Sequence, residues 1–384
     1  MCPLKDAARD APNHLAILSK DFCLTFSELD SYVDQITDNS LIAKEANSLN
    51  LIAKFFSSWR KGASIFPINP RNPSTPLIKD PPSSSVLLYT SGSTSAPKIA
   101  ILPFQALLAS AESAIKAVDL RPNDQWKLSL PLYHVGGIGI VLRCIAARAT
   151  IVLDDSPHIT HLSCVPTQLY RATPIYKNLR CLLVGGAPIP NYPYTISTTY
   201  GLTEMGSMVT LNGKVMNHAE VQIDANKEIF VRGKSLFQGY LGQKSQNGWF
   251  ATGDLGRFEQ KNLIITGRKD WMFISGGENI QPEEIEKEMQ ALPFCIEAVV
   301  VGKNDPEFGK RPVAFVRAHQ KFDLLTLQTI LSNTLPKYKI PIALYFVDEL
   351  PRKNNFKVDR FILSQLINNQ LDQNMSGQKK ASYL

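Results

Sequence analysis

One short stretch constrains this chain most, because an apolar segment runs directly into a loop of small hydroxyl residues. Residues 86–89, VLLY, predict a short buried strand, since they are apolar and turn-forming residues flank them. The next six residues, TSGSTS, can surround phosphate oxygens with backbone N–H groups and hydroxyl donors. Lys98 supplies a cation at the end of this loop. We therefore predict a phosphate-binding loop that contains Thr90, Ser91, Gly92, Ser93, Thr94 and Lys98.

Two other interpretations of this loop fit the residues less well. A Walker A loop counted from Gly92 requires Gly at position 97 and Ser or Thr at position 99, where this chain has Pro97 and Ile99. An exposed Ser/Gly linker is the alternative, but a linker needs neither an apolar strand before it nor an apolar segment after it. Taken alone, the loop only suggests phosphate binding.

Composition excludes several classes of protein. The chain has 384 residues, of which 44% are hydrophobic and 20% charged, so it is long enough for two or more domains. The net charge of +7 is spread along the chain and suits anionic ligands, whereas no basic and aromatic stripe predicts nucleic acid as a partner. The six cysteines form no CxxC pair, which argues against a disulfide framework or a zinc site. No signal peptide or membrane span is evident, so we expect a cytoplasmic protein without stable membrane insertion.

Short strands alternate with helical patterns and Gly-rich turns, which predicts an α/β fold. Residues 128–139 are interpreted as a strand that ends at Pro131, followed by a glycine turn, and residues 179–184 as a strand that enters the GGAP sequence. Ligands of such sheets bind beyond the carboxyl ends of the strands, where these turns lie. After Asp270 the pattern changes to a helix over 282–292 and further strands and helices, which predicts a small α+β unit.

Several side chains at these turns can carry chemistry. Tyr200, Thr203 and Glu204 lie close together and can supply a stacking face, a phosphate contact and a Mg²⁺ ligand, although a helix start with an incidental acid is the alternative. Asp254 can accept both hydroxyls of a ribose. His134 either lines a cleft or is a structural histidine, and the residues alone leave this open.

The order of the motifs is more specific than any one of them. The chain contains, in this order, SGSTxxPK, PLYHVGG, GGAP, YGLTE, TGD, GRKD, SGGENIxPEEIE and a lysine near the C-terminus, Lys357. Over residues 24–365 it therefore resembles the adenylate-forming acyl-CoA ligase superfamily. The resemblance implies an α/β fold with a large N-terminal domain, residues 1–269, of two α/β subdomains and a small β-barrel. It also implies a mobile α+β C-terminal domain, residues 270–367, on a hinge at Asp270, while the polar residues 368–384 predict a disordered tail.

What the resemblance implies chemically is a pair of half-reactions. A carboxylate and ATP would form an acyl-adenylate, and coenzyme A would then take the acyl group. Site roles carried over by position assign phosphates to the loop at 90–98, adenine to Gly186, Ala187 and Tyr200, and ribose to Asp254 and Arg268. Thr203 and Glu204 would meet the α-phosphate and Mg²⁺, and Lys357 would bridge the substrate carboxylate and the α-phosphate. His134, Gly276 and Gly277 would contact coenzyme A, and Gly185 would contact the acyl substrate.

Within the superfamily the chain resembles the o-succinylbenzoate–CoA ligases of menaquinone biosynthesis, on the sequences VPTQL at 165–169, SGGENIQPEE at 275–284 and EFGKRPVA at 307–314. Their substrate has a second carboxylate, for which Arg143 is the candidate receptor. A surface or intersubunit salt bridge of Arg143 is the alternative.

Departures from the family pattern keep other functions open. Ser95 stands where a glycine is usual, Phe356 precedes Lys357 where a glycine is common, and only 85 residues precede Val86. A catalytically weak homologue that binds an adenylate is therefore one rival, and a fatty-acyl or aryl-CoA ligase is another. The reduced first subdomain also leaves a homodimer open as a way to cover apolar surface.

Overall fold

The computed structural model describes residues 2–71, 76–90, 98–166, 168, 176–186, 195–353 and 357–375, with the backbone alone at residues 353, 357 and 369–375. The helices of these residues are α1 (Pro3–Asp10), α2 (Phe26–Asp34), α3 (Leu49–Arg60), α4 (Phe104–Ala117), α5 (Val135–Ala147), α6 (Pro282–Gln290), α7 (Leu324–Leu331) and α8 (Arg360–Met375). None of these helices is both long enough and apolar enough to cross a lipid bilayer.

Most of the other regular secondary structure in the described residues is β-strand. Up to residue 185 they are β1 (Leu15–Leu18), β2 (Cys23–Thr25), β3 (Ile42–Ala43), β4 (Phe66–Pro67), β5 (Ser85–Thr90), β6 (Lys98–Pro103), β7 (Gln125–Lys127), β8 (Thr150–Val152), β9 (His161–Cys164) and β10 (Cys181–Gly185). From there to residue 268 they are β11 (Ser197–Leu202), β12 (Ser207–Leu211), β13 (Lys214–Val215), β14 (Ala219–Ile223), β15 (Glu228–Gly233), β16 (Gly239–Tyr240), β17 (Phe250–Glu259) and β18 (Asn262–Arg268). The last part contains β19 (Phe273–Ser275), β20 (Glu278–Ile280), β21 (Cys295–Asp305), β22 (Gly309–Ala318), β23 (Leu344–Phe346), β24 (Arg352–Lys353) and β25 (Lys357–Val358).

A nine-stranded sheet forms the centre of the N-terminal part. Its order is β13-β12-β11-β10-β9-β7-β8-β1-β2, and the strands from β11 through β1 in that order are parallel. Helices α1 to α5 contribute buried apolar side chains, including Phe26, Phe56 and Phe104, to the core that also contains Trp126 of β7. The stacked rings of Trp59 and Phe104, 4.6 Å apart, join α3 to α4. Parallel strands covered by helices are the α/β arrangement that the sequence predicts.

The predicted phosphate strand belongs to a second, smaller sheet. It is β5, buried along nearly its whole length, and the order of this sheet is β16-β6-β5. Ile65, next to β4, forms a parallel bridge to Val86, and β3 pairs with β4. The pair β3-β4 thus lies beside β5.

Two further sheets complete the molecule. The antiparallel sheet β14-β15-β17-β18 occupies the place of the predicted small β-barrel. After Asp270, β19 to β23 form one sheet that α6 and α7 cover around Ile285 and Leu327. The α/β fold with a large N-terminal and a small C-terminal domain is thereby confirmed.

Two local predictions are wrong. Residues 128–132 are not a strand, because the strand of this region, β7, ends at Lys127. The predicted tail does not begin at residue 368, because the backbone of α8 stays helical to Met375. Residues 376–384 lie outside the described part of the chain.

Candidate active site

The first polar cluster of the site joins Asp254, Arg268 and Tyr200. Asp254 and Arg268 are partners across β17 and β18, and Arg268 Nη1 donates to Asp254 Oδ1 at 2.7 Å. Tyr200 on β11 donates its hydroxyl to the other carboxylate oxygen, Oδ2, also at 2.7 Å. Burial and the Asp254 charge raise the pKa of Tyr200, so the phenol stays protonated as a donor. Three side chains predicted to hold adenosine therefore form one hydrogen-bonded chain.

The second cluster surrounds Glu204, in the 3₁₀ turn Thr203–Met205 directly after β11. Glu204 is buried, and Tyr240 on β16 donates its hydroxyl to Glu204 Oε1 at 2.7 Å. Lys98 Nζ lies 4.8 Å from the centre of the Tyr240 ring, within the range of a cation–π contact. Burial and the Glu204 charge raise the pKa of Tyr240 and keep it a neutral donor. The structure thus brings together the lysine of the phosphate loop and the predicted Mg²⁺ ligand.

The ends of the phosphate loop face each other. Thr90, the last residue of β5, is the register partner of Lys98, the first residue of β6. The Thr90 hydroxyl donates to the Lys98 carbonyl at 3.4 Å. Ser91, Gly92, Ser93 and Thr94 lie outside the described residues, so their predicted phosphate contacts stay predictions.

Two glycines at the end of β10 lie beside Tyr200. A Cβ on Gly185 would come within 2.5 Å of Thr199 Cγ2 and 2.7 Å of the Thr199 carbonyl oxygen, so only glycine permits this approach of β10 to β11. Gly185 and Thr199 are partners in the parallel pair, and Gly186 has a positive φ of 87°. That these two glycines border an adenine slot stays a prediction. Ala187 lies outside the described residues.

The PLYHVGG motif leads into helix α5 rather than a turn. His134 occupies the residue before the helix, and its ring lies 4.8 Å from the ring of Tyr133. The glycines at 136, 137 and 139 are helical. A Cβ on Gly137 would come within 2.2 Å of the Pro131 carbonyl oxygen. Close packing against the backbone, and not turn geometry, therefore explains Gly137, and the predicted turn before Arg143 is wrong.

Arg143 is buried inside the N-terminal part. It is 2% exposed on α5, its Nη2 donates to Ser207 Oγ at 3.2 Å, and its Cζ lies 5.5 Å from the centre of the Trp126 ring. Burial lowers the pKa of Arg143 to about 10. No carboxylate among the described side chains forms an ion pair with it. Because the guanidinium is buried, a surface salt bridge is the wrong alternative for this residue.

The region around Asp270 connects the two parts of the chain. Lys269 forms an ion pair with Glu228 of β15 at 2.7 Å, which holds the N-terminal side. On the other side, Arg360 of α8 lies over the Trp271 ring, with its Cζ 4.3 Å from the ring centre. Asp270 lies between these two anchored neighbours, and its Oδ2 is 3.3 Å from Arg268 Nη2. The position suits a hinge, and a hinge motion stays a prediction.

Two contacts cross from Gln281 and the first turn of α6 to the end of β18. Gln281 Nε2 donates to the Arg268 carbonyl oxygen at 3.0 Å, and the Arg268 N–H donates to Glu283 Oε1 at 3.1 Å. A Cβ on Gly267 would come within 2.2 Å of Gln281 Nε2, so this glycine leaves room for the glutamine. The C-terminal domain thus binds the backbone of the residue whose side chain pairs with Asp254.

Comparison with known proteins fits this geometry. The sequence profile of the AMP-binding enzymes matches residues 37–241, and that of the AMP-binding enzyme C-terminal domain matches residues 284–357. The chain belongs to the AMP-binding enzyme family. Among relatives of this AMP-binding enzyme, the 2-succinylbenzoate–CoA ligase of Salmonella typhimurium is 35% identical over 312 residues, 73% of this chain and 68% of the relative.

Solved structures of similar proteins cover nearly the whole AMP-binding enzyme. A variant of E. coli MenE with bound OSB-AMS is 28% identical, with a TM-score of 0.79 over 96% of this chain and 98% of that one. The o-succinylbenzoate CoA synthetase (MenE) of Bacillus subtilis, in complex with its acyl-adenylate intermediate OSB-AMP, has a TM-score of 0.80 over 99% of each chain. At 23% identity this second likeness supports the fold alone.

Some predicted residues of the AMP-binding enzyme lie apart from the two clusters. Gly276 and Gly277, with φ of 56° and 86°, form the exposed turn between β19 and β20. The Gly276 N–H donates to the carbonyl of Phe308 in the same domain, at 2.9 Å. Lys357 begins β25, where its backbone pairs with Lys353, and the role of its side chain stays a prediction.

Sequence reasoning missed Tyr240, Gln281 and Glu283. Tyr240 lies 36 residues from Glu204, and only the pairing of β16 with β6 brings it there. For Gln281 and Glu283 a weak signal exists, since they belong to the SGGENIxPEEIE sequence, but nothing in that sequence names Arg268 as their partner.

A magnesium ion can be tested against the donors present. In the described part of the chain, no group of three or more His, Cys, Asp and Glu side chains could hold a metal. Mg²⁺ at nucleotide sites is commonly held by one or two carboxylates with the substrate phosphates and water. Glu204 offers one buried carboxylate, and Tyr240 engages its Oε1. This donor set fits a Mg²⁺ ion that binds together with the nucleotide.

Proposed function

We propose that this protein ligates 2-succinylbenzoate to coenzyme A through an acyl-adenylate, the step that the resemblance places in menaquinone biosynthesis. In the first half-reaction, a carboxylate oxygen bonds to the α-phosphorus of ATP and pyrophosphate leaves. In the second, the thiol sulfur of coenzyme A bonds to the acyl carbon, AMP leaves and the thiol proton is released. Atoms and charges balance without an oxidant or reductant.

The observation that carries the choice of substrate is the buried guanidinium of Arg143. A buried cation without a counter-ion is unfavourable, because the neutral contacts with Ser207 and Trp126 replace only part of the hydration that burial removes. Ser207, the neutral hydrogen-bond partner of Arg143, is the first residue of β12. It pairs with Leu202, which directly precedes Thr203 and Glu204 in the chain. A dicarboxylic acid can therefore place one carboxylate at the α-phosphate contacts and the other at Arg143. The relatives named for 2-succinylbenzoate support this class of acid.

The residues of the first half-reaction act by position and charge. Lys98 and the loop before it hold the β- and γ-phosphates, and Asp254 with Arg268 holds the ribose. Thr203 would contact the α-phosphate, and Glu204 would hold a Mg²⁺ ion, which when bound would supply positive charge at that phosphate. Lys357 bridges the attacking carboxylate and the α-phosphate, where negative charge is largest in the transition state.

The second half-reaction uses a rotation about Asp270. It withdraws Lys357 and brings the turn at Gly276 and Gly277 toward the path of the coenzyme A thiol, with His134 at the entrance. Gly185 borders the acyl group. No side chain needs to become a covalent nucleophile, because the thiol performs that attack.

Pyrophosphate release tests the proposal. Purified protein is assayed with Mg-ATP, coenzyme A and 2-succinylbenzoate, in parallel with benzoate, a fatty acid and the variant Lys357→Ala. We expect release with 2-succinylbenzoate alone, and its loss in the variant. Release with another acid would keep the ligase chemistry and discard this substrate. ATP binding without release from any acid would overturn the ligase activity.

A further inference from the structure

The two-stranded sheet that carries Lys357 is followed and preceded by arginines that tie it to the C-terminal domain. Lys357 lies on β25, and its partner strand β24 begins at Arg352. Arg352 Nη2 donates to both carboxylate oxygens of Glu297 on β21, at 2.5 and 2.7 Å. Three residues after Lys357, Arg360 begins α8. The place of the Lys357 backbone therefore depends on what holds these two arginines.

Arg360 is fixed by an ion pair inside the domain. Its side chain is 12% exposed, and that of its partner, Glu286 on α6, is 4% exposed. Nη1 and Nη2 of Arg360 each donate to one carboxylate oxygen of Glu286, and the Nη2 bond measures 2.6 Å. Nη1 also donates to the Val300 carbonyl at 2.8 Å, while the Val300 N–H donates to Glu286 Oε1 at 2.6 Å. A guanidinium bound by two parallel bonds keeps a fixed plane.

The guanidinium of Arg360 lies over the indole ring of Trp271. Its Cζ is 4.3 Å from the ring centre, within the range of a cation–π contact. Trp271 directly follows Asp270, the proposed hinge. On the other side of the hinge, the Cζ of Arg268 lies 5.9 Å from the centre of the same ring. One indole ring is therefore near both the arginine of the proposed ribose site and the arginine that follows Lys357.

We propose that Trp271 is a positioning residue for Lys357 in the first half-reaction. Its ring holds Arg360, and through the short connection from Arg360 it holds β25 in a fixed place relative to the hinge and the ribose site. This inference rests on the proposed function, because it needs Lys357 to act at the α-phosphate. Since Lys357 is withdrawn for the second half-reaction, the ring has no such part in thioester formation.

A ring that only stabilises the C-terminal domain is the competing explanation. Trp249 offers a matched control, because the Cζ of Arg232 lies 4.5 Å from the centre of its ring. Both indoles are partly buried, and neither Trp249 nor Arg232 belongs to the proposed site. A loss of stability would affect both half-reactions, whereas a loss of positioning affects only the first.

The experiment measures the two half-reactions separately for the unsubstituted enzyme, Trp271→Leu, Trp271→Phe and Trp249→Leu. Adenylate formation is followed as pyrophosphate release with Mg-ATP and 2-succinylbenzoate, and thioester formation with added acyl-adenylate and coenzyme A. Trp271→Leu is also combined with Lys357→Ala, because a residue that acts through the lysine has no separate effect once the lysine is gone.

We expect Trp271→Leu to lower kcat for adenylate formation roughly 3- to 30-fold, the range of one cation–π contact, with the rate of thioester formation nearly unchanged. Trp271→Phe keeps an aromatic face and should recover most of the lost rate. Combined with Lys357→Ala, Trp271→Leu should cause little further loss, and Trp249→Leu should leave both half-reactions as they are.

Other outcomes separate this inference from the proposed function. Equal losses in both half-reactions, or the full loss again in the Lys357→Ala background, would overturn the positioning role of Trp271. Release that needs Lys357 but is unaffected by Trp271→Leu would overturn it as well, and would keep the proposed function. Unchanged release in Lys357→Ala would overturn the proposed role of Lys357 and this inference with it. If Trp271→Leu does not fold, Trp271→Met, which fills more of the space of the indole without an aromatic face, replaces it in every comparison.

Discussion

Arg268 and Asp254 are paired directly across β17 and β18, with 2.7 Å between Nη1 and Oδ1. The backbone of the same arginine is bound by Gln281 and Glu283 from the C-terminal domain. One residue thus joins the proposed ribose site to the domain that is proposed to move. We therefore expect nucleotide binding and the orientation of the C-terminal domain to depend on each other.

Replacing Asp254 by Asn should weaken nucleotide binding. The change removes the charge that accepts from Arg268 and Tyr200, and the carboxylate proposed to hold the ribose. We expect KM for ATP to rise about tenfold or more, since hydrogen bonds to charged groups contribute about 1.5–3 kcal/mol. The measurement is pyrophosphate release against ATP concentration.

Glu220→Gln is the control for this variant. Glu220 and Arg232 form a pair of the same kind across β14 and β15, with 2.6 Å between Nη2 and Oε2, but both side chains are exposed. Exposed pairs contribute little, so its kinetics should stay unchanged. Similar losses in both variants would contradict a specific role of Asp254.

Removing the amide of Gln281 should alter the balance between the half-reactions. Gln281→Ala deletes the bond to the Arg268 carbonyl, which we expect to favour the other orientation of the C-terminal domain. The rates of adenylate formation and of thioester formation from added acyl-adenylate should then shift in opposite directions, about 3- to 10-fold, as one lost hydrogen bond allows.

Gln290→Ala serves as the comparison, because Gln290 at the end of α6 donates to Ala298 within its own domain. Gln290→Ala should leave the ratio of the rates of adenylate formation and thioester formation unchanged. A parallel decrease of both rates in Gln281→Ala would indicate general damage and speak against coupling through Arg268.

The free energy of unfolding should fall in acid, because the buried His218 must then take up a proton. Its folded pKa of about 4 lies below the unfolded value of about 6.5, so the unfolded chain binds more protons between these two values. The contribution is therefore fully present above pH 6.5 and is lost as pH falls toward 4, by about 3 kcal/mol. Urea unfolding of the wild type and of His218→Gln at pH 7 and pH 4.5 measures it, and the wild type should show the steeper decline. Equal slopes would argue against a buried neutral imidazole.

Helix α5 should tolerate a methyl group at one glycine and not at its neighbour. A Cβ at Gly137 would meet the Pro131 carbonyl oxygen at 2.2 Å, whereas at Gly136 the nearest atom is the Leu130 Cδ1 at 2.8 Å, the end of a flexible side chain. We expect Gly137→Ala to lower the free energy of unfolding by about 2–4 kcal/mol, and Gly136→Ala by less than about 1 kcal/mol. Denaturant titrations of both variants decide this, and equal losses would contradict the packing explanation.

Local patterns predicted the strand at β5, the helix at α6 with Pro282 in its first turn, and the domain change after Asp270. These features depend on apolar runs and backbone preferences that act over a few residues. The glycine motif before Arg143 misled the same reasoning. A glycine can be required by a turn or by a carbonyl packed against a helix, and only the packing distinguishes the two.

By itself the sequence determined the α/β fold class, the family and the order of the motifs that contribute to the site, because short contiguous stretches of residues specify each of them. Only the tertiary structure decided which side chains meet. It placed Tyr240 between Lys98 and Glu204, joined Gln281 to Arg268, and buried Arg143 against Ser207 and Trp126. These relationships arise from strand pairing and burial between distant segments, which no contiguous run of residues specifies.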